Sequence, residues 1–185
     1  MSDADVFVTV VSALDAAGVS RMLTGSFAAS IHGRVRATRD IDFVIEVDDE
    51  KIRKLVDALL ARHYYVDERA ALEALRTNTQ FNAIDPATGW KIDFMTRKPR
   101  AFSLEEFNRR TSIELNGVPI DVATAEDTVI AKLEWAKMSE SDRQIEDVVG
   151  ILQMQRDHLD RDYIERWVES LGLQAQWKRA VASIG

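Results

Sequence analysis

Thr24-Gly25-Ser26-Phe27-Ala28-Ala29-Ser30-Ile31-His32-Gly33-Arg34-Val35-Arg36-Ala37-Thr38-Arg39-Asp40-Ile41-Asp42-Phe43 is the stretch from which the rest of the chain can be read. Ile41 to Val47 alternates as a strand, with Asp40 and Asp42 two apart at its start. Residues i and i+2 of a strand face the same side, so the two carboxylates project together while Ile41 and Phe43 face the core. Two adjacent carboxylates without a counter-ion repel, and one of them resists ionising. A hard divalent cation removes that penalty and prefers oxygen donors. An Asp-x-Asp pair alone is better read as a turn cap followed by a solvated strand residue. Gly25-Ser26, at the head of the helix-compatible run Phe27–Ile31, changes the balance. A helix start offers backbone N–H groups and a hydroxyl to a phosphate. A helix N-terminus followed by a strand bearing two acids is the pattern of a phosphate site facing a metal site.

Outward from this stretch, Val6, Val10, Leu14 and Ala17 recur at helical spacing before Gly18, and Arg21–Thr24 is a short strand. After the acidic strand, Asp48 or Asp49 caps a helix with Ile52, Leu55, Val56 and Leu59 on one face. Thr79–Ile84 and Trp90–Thr96 read as strands joined by the Asp85–Gly89 loop. Ser103-Leu-Glu-Glu106 fits a capping box for a short helix. Thr111–Leu115 and Val118–Val122 flank Asn116-Gly117, a two-residue hairpin signal, and Pro119 puts its strand at or near a sheet edge. From Thr124 onward only helices are expected. Thr124–Asp127 and Ser141–Gln144 are start signals, and apolar stripes run through Ile145, Val148, Val149 and Leu152 and through Ile164, Trp167, Val168 and Leu171. The reading is an α/β domain over residues 1–123 and a packed helical region over 124–185.

Composition bounds the chemistry. The 185 residues are 46% hydrophobic and 30% charged, enough apolar material for a real core. Without cysteine, neither a disulfide framework nor a thiolate metal site is open, and His32, His63 and His158 lack zinc-site spacing. No stretch approaches the roughly 20 apolar residues that cross a bilayer, and the acidic N-terminus is unlike a signal peptide. The expectation is a cytoplasmic protein without a membrane partner. A net charge of −7 argues against a general nucleic-acid coat protein.

Gly25-Ser26-x-Ala28, His32-Gly33, Arg36-x-Thr38 and Asp40-Ile-Asp42 resemble the AbiEii-like group of the polymerase-beta nucleotidyltransferase superfamily, which includes type IV abortive-infection toxins and the MenT toxins. The resemblance runs over roughly residues 21–150. It implies a polymerase-beta-like fold, a mixed twisted sheet of α+β type with helices and a C-terminal helical tail. It also implies a third carboxylate on a later strand. Asp93, in Trp90-Lys-Ile-Asp-Phe-Met, fits the family order, with Asp121 the competitor; a lone aspartate inside a strand is disfavoured by propensity and wants an explanation. The family's lysine on one helix and Arg-x-x-x-Asp on the next match Lys132 and Arg143/Asp147. Arg143 and Asp147 share a helix face, and on the residues alone they read equally as a surface ion pair.

The activity so implied transfers a nucleoside monophosphate from a nucleoside triphosphate to an acceptor hydroxyl. Asp40, Asp42 and Asp93 hold Mg²⁺, or Mn²⁺ in its place, with Asp93 also helping to deprotonate the acceptor. Gly25, Ser26, Arg39, Lys132 and Arg143 bind the nucleotide, and Lys132 and Asp147 serve catalysis. The acceptor is an RNA 3′ end, a protein or a small molecule, and a toxin role would bring an antitoxin partner. Arg34, Arg36, Arg39, Arg97, Lys98 and Arg100 form a candidate basic rim, whereas His32 reads as a packing or turn residue. Two rival readings are a non-catalytic nucleotide- or partner-binding module and an enzyme that transfers a terminal phosphate.

Overall fold

In the computed structural model, residues 3–33, 35, 37–115 and 117–184 are described. The elements run α1 (Asp3–Ala16), β1 (Ser20–Thr24), α2 (Gly25–His32), β2 (Asp40–Glu46), α3 (Asp49–Leu60), β3 (Tyr65–Val66), α4 (Glu68–Thr77), β4 (Gln80–Ile84), β5 (Lys91–Thr96) and α5 (Ala101–Arg109). They continue through β6 (Thr111–Leu115), β7 (Val118–Val122), α6 (Ala125–Ser139), α7 (Asp142–Gln155), a 3₁₀ turn at Arg156–His158, α8 (Arg161–Ser170) and α9 (Gln174–Ala182). Two compact units result: Met1–Leu23 with Thr38–Val122, and Thr24–Ala37 with Ala123–Gly185.

In the first unit the described strands form one mixed sheet, ordered β3-β4-β5-β2-β1-β7-β6. β2 lies parallel to β5, and β1 to β7, while β3–β4, β4–β5 and β6–β7 are antiparallel. The period-2 pattern of β2 is realised: Ile41, Phe43 and Ile45 are fully buried, whereas Asp40 is exposed and Asp42 half-buried. Phe43 meets Phe7 of α1 at 6.4 Å and Phe94 of β5 at 6.2 Å, and Phe94 stacks on Phe81 of β4 at 5.1 Å. Each such buried ring contributes about 1.5–3 kcal/mol of hydrophobic stabilisation, so the face bearing the acids is held in register by the row of aromatics behind it.

Local chemistry accounts for the boundaries. Gly18 at φ +64° ends α1. Asp48, rather than Asp49, caps α3 by accepting the Lys51 N–H at 2.8 Å. In the Asp85–Gly89 loop, Asp85 accepts from the Ala87 N–H at 3.1 Å and the Thr88 hydroxyl at 2.6 Å. In the β6–β7 hairpin Asn116 lies outside the described residues, while Gly117 takes φ +75°. Pro119 sits on β7, next to the edge strand β6. One start signal was misplaced: α5 begins at Ala101 behind Arg100, and Ser103 lies inside its first turn, accepting from Arg100 Nε at 2.9 Å. A second element was missed. Asp67 accepts the Ala70 N–H at 3.1 Å to start α4, whose narrow apolar stripe is Ala71, Leu72 and Ala74.

In the second unit α2 packs on α6 and α7, and α8 and α9 complete the bundle. Thr124 caps α6 by accepting the Asp127 N–H at 3.2 Å and donating to Asp127 Oδ2 at 2.7 Å. Asp127 is fully buried and also accepts the Tyr163 hydroxyl at 2.6 Å, which ties α8 to the start of α6. Ser141 is the N-cap of α7, without a side-chain capping bond.

Candidate active site

The parallel pairing of β2 with β5 sets Asp42 opposite Asp93 and Asp40 opposite Lys91. Side chains alternate along both strands, so Asp40, Asp42, Lys91 and Asp93 share one face of the sheet. Asp121 is not among them: it lies on β7, beyond β1 from β2, and accepts from Arg110 Nε at 3.1 Å. Asp93 is 8% exposed. Its Oδ2 accepts from Lys91 Nζ at 2.7 Å, and its Oδ1 is buried with no hydrogen-bond partner among the described residues. Lys91 has its pKa raised above the ordinary lysine value, first by its hydrogen bond to Asp93. Partial burial works against that rise, and the charges of Asp93, Asp40 and Asp42 add to it.

The donor chemistry suits a divalent cation on two counts: the oxygens are hard, and one of them is desolvated without a compensating bond, which is costly for a carboxylate. As they stand, no three acidic or histidine side chains among the described residues converge to metal-ligand geometry. The cation on Asp93 is a lysine ammonium.

The neighbouring basic residues divide. Arg39 is exposed, and its carbonyl accepts the Lys91 N–H at 3.0 Å. Arg97 pairs with Glu46 and lies over the Phe107 ring, and Arg100 bonds Ser103, so these two have local partners. Lys98 is exposed, and Arg34 and Arg36 lie outside the described residues.

Gly25, Ser26, Lys132, Arg143 and Asp147 belong to the second unit. Gly25 takes φ +65°, which lets β1 turn straight into α2 without a Cβ penalty. The Ser26 carbonyl accepts the Ser30 hydroxyl at 2.9 Å inside α2. At the other end of that helix His32 Nε2 bonds the Ala123 carbonyl at 2.7 Å, and Gln155 Nε2 donates to the His32 carbonyl at 2.9 Å. His32 is thus a packing residue that seats α2. Lys132 of α6 donates to Asp147 Oδ2 of α7 at 2.8 Å, with side chains only 5% and 10% exposed. Arg143 is exposed.

Set against solved structures, the chain matches the antibiotic-resistance factor ANT(2″)-Ia in its complex with adenylyl-2″-tobramycin. The TM-score is 0.59 at 15% identity, over 97% of this chain and 99% of that one. It matches the lincomycin-bound lincosamide antibiotic adenylyltransferase LnuA with a TM-score of 0.58 at 12% identity, over 83% and 98%. A nucleotidyltransferase-like protein of Paracoccidioides brasiliensis gives 0.53 at 18%, over 99% and 92%. This chain has the polymerase-beta-like nucleotidyltransferase fold. No family model and no curated protein matches its sequence.

Within that nucleotidyltransferase fold, sequence reasoning overlooked Lys91. The signal was present: Lys91 and Asp93 are two apart on a strand, the same spacing that singled out Asp40 and Asp42.

Proposed function

We propose that the protein is a divalent-metal-dependent nucleotidyltransferase that moves a nucleoside monophosphate from a nucleoside triphosphate to an acceptor hydroxyl. The observation that carries this reading is the pairing of Asp42 with Asp93 across adjacent parallel strands, with Asp93 Oδ1 buried and lacking a partner among the described residues. A buried carboxylate oxygen left so is explained by a cation that it is built to receive.

Asp40, Asp42 and Asp93 would hold Mg²⁺ or Mn²⁺. Such an ion, when bound, neutralises charge on the triphosphate and on the attacking and leaving oxygens. The chain's own residues supply positioning. Backbone N–H groups in the first turn of α2, together with Ser26, are suited to phosphate oxygens because a helix start leaves its donors unsatisfied. Lys132, with Asp147 orienting its ammonium, is assigned to the triphosphate, and Arg39 and Arg143 to the outer phosphates. Asp93 is assigned to the proton of the acceptor hydroxyl. The hydroxyl oxygen bonds to the α-phosphorus, the bond from the α-phosphorus to the bridging oxygen breaks, and pyrophosphate leaves. The contribution of the protein is chiefly orientation and preorganised charge.

A small-molecule hydroxyl is the acceptor favoured here. Two of the matched structures are antibiotic-modifying proteins, and a chain of net charge −7 is poorly suited to a polyanionic acceptor. The AbiEii-like motif resemblance supports instead an RNA or protein acceptor and an antitoxin partner.

Thermal unfolding with Mg²⁺ and each nucleoside triphosphate tests the assignment, because a ligand of the native state raises its stability by mass action. The unaltered protein is expected to gain stability with one or more triphosphates, and Asp42→Ala to lose most of that gain. Equal gains in both proteins would remove the metal assignment. A label on the α-phosphate appearing in the acceptor supports nucleotidyl transfer. A γ-phosphate label appearing there supports phosphotransfer, and binding without transfer supports a non-catalytic module.

A further inference from the structure

We propose that Lys91 is a built-in counter-ion: it holds the acidic face of β2 and β5 in the metal-free state and leaves Asp93 when a divalent cation binds. The inference rests on the metal assignment above and adds a residue that competes with the metal.

The geometry is specific. Lys91 is the cross-strand partner of Asp40 and lies two residues from Asp93, so it shares one face of the sheet with all three acids. It bonds one Asp93 oxygen at 2.7 Å and leaves the other buried without a partner among the described residues. One ammonium therefore supplies less charge and fewer contacts than this face is arranged to accept. The two partners also differ in freedom: the Asp93 side chain is 11% exposed and the Lys91 side chain 39%. Asp93 sits on a short stem inside the sheet, with Phe94 following it in the aromatic row. Lys91 has a flexible four-carbon stem and a path to water, so it can withdraw while the acid stays.

An ordinary strand-surface ion pair would join two exposed side chains and contribute little. Here the acid is buried, and without any cation its charge would be strongly penalised. The lysine accordingly keeps the metal-free sheet stable and sets a threshold that a divalent ion must exceed. Nucleotide arriving with its own metal exceeds that threshold more easily than free metal does. The site would load metal and triphosphate together.

The test measures Mn²⁺ binding by the paramagnetic signal of the free ion, without nucleotide, for the unaltered chain, Lys91→Met and Asp42→Ala. Lys91→Met is expected to bind Mn²⁺ about tenfold or more tightly than the unaltered chain, since a like charge is gone from the site. Its thermal midpoint in chelator should fall and be restored by Mn²⁺. Unchanged or weaker Mn²⁺ binding by Lys91→Met, beside normal binding that Asp42→Ala abolishes, overturns the counter-ion role and leaves the metal assignment standing. Binding by Lys91→Met alone supports the counter-ion role, with a threshold that free Mn²⁺ does not exceed; the unaltered chain must then bind Mn²⁺ once triphosphate is added, and no binding there overturns the displacement of Lys91. Binding by neither protein overturns both.

A second measurement needs no variant. Acetylation of Lys91 in the unaltered chain, followed by peptide mass spectrometry, should speed up several-fold with Mn²⁺ and triphosphate together as the ammonium leaves Asp93; an unchanged rate overturns the proposal.

Discussion

Removing Asp147 alone is expected to be among the most damaging single changes in the helical unit. Asp147→Ala leaves the Lys132 ammonium, 4% exposed, without the carboxylate that it meets at 2.8 Å. Breaking a buried pair by deleting one partner costs about 3–5 kcal/mol, because the surviving charge is stranded in a low-dielectric interior. For a chain of this size each kcal/mol lowers the midpoint by about 2–4 °C, so the expected loss is roughly 6–20 °C. Replacing both partners with apolar groups of similar volume, as Lys132→Met with Asp147→Leu, should restore stability to within about 1 kcal/mol of the unaltered protein. The unaltered protein, Lys132→Met, Asp147→Leu and their combination form a double-mutant cycle read by denaturant unfolding. The folded double variant then becomes the decisive sample for function: restored stability with nucleotide transfer still absent assigns the pair to the triphosphate. A loss below about 1 kcal/mol for Asp147→Ala would refute the argument, since that is the value of an exposed pair.

Three further outcomes follow from the same structure. Gly33→Ala would place a Cβ 2.9 Å from Ile151 N and 3.0 Å from both Ala29 O and Gly150 C. All three are backbone atoms that cannot rotate away, so a loss of about 1–3 kcal/mol by denaturation is expected, with weaker triphosphate binding as α2 shifts. Tyr64 has its hydroxyl buried with no partner among the described residues, and its pKa is pushed up to about 12, first by burial and then by the charge of Asp85. A raised folded pKa means that this contribution is complete below pH 10 and is lost as pH rises from 10 through about 12. Tyr64→Phe should be neutral or stabilising by about 1 kcal/mol and should show a shallower loss of unfolding midpoint over that alkaline window. Thr124→Ala removes the N-cap of α6 and should cost about 1 kcal/mol by denaturant unfolding, with Thr124→Ser recovering most of it.

Much of the fold was legible because its strands are written in local code. The alternation of Ile41, Phe43 and Ile45, the Asp85–Gly89 turn and the caps at Asp48 and Thr124 depend on residues only a few positions apart. α4 escaped notice because small residues make most of its apolar stripe, Ala71, Leu72 and Ala74, which becomes a buried face only once α3 and β4 pack on it. The start of α5 was misplaced because the serine signal at Ser103 competes with Arg100, which engages that serine through its guanidinium.

Two carboxylates on one face and a glycine-serine turn before a helix could be named from the amino-acid order alone, since each is set by backbone periodicity, whereas Lys132 and Asp147 on successive helices were named through the motif resemblance. Which later acid stands beside Asp42 could not, because parallel pairing of β2 with β5 joins residues some fifty positions apart, and register between distant strands is fixed by the packing of Phe7, Phe43, Phe81 and Phe94 behind them. The same pairing brought Lys91 opposite Asp40, and the burial that left one Asp93 oxygen without a partner among the described residues exists only in the folded sheet. Local order chose the chemistry; long-range register chose which charges share it.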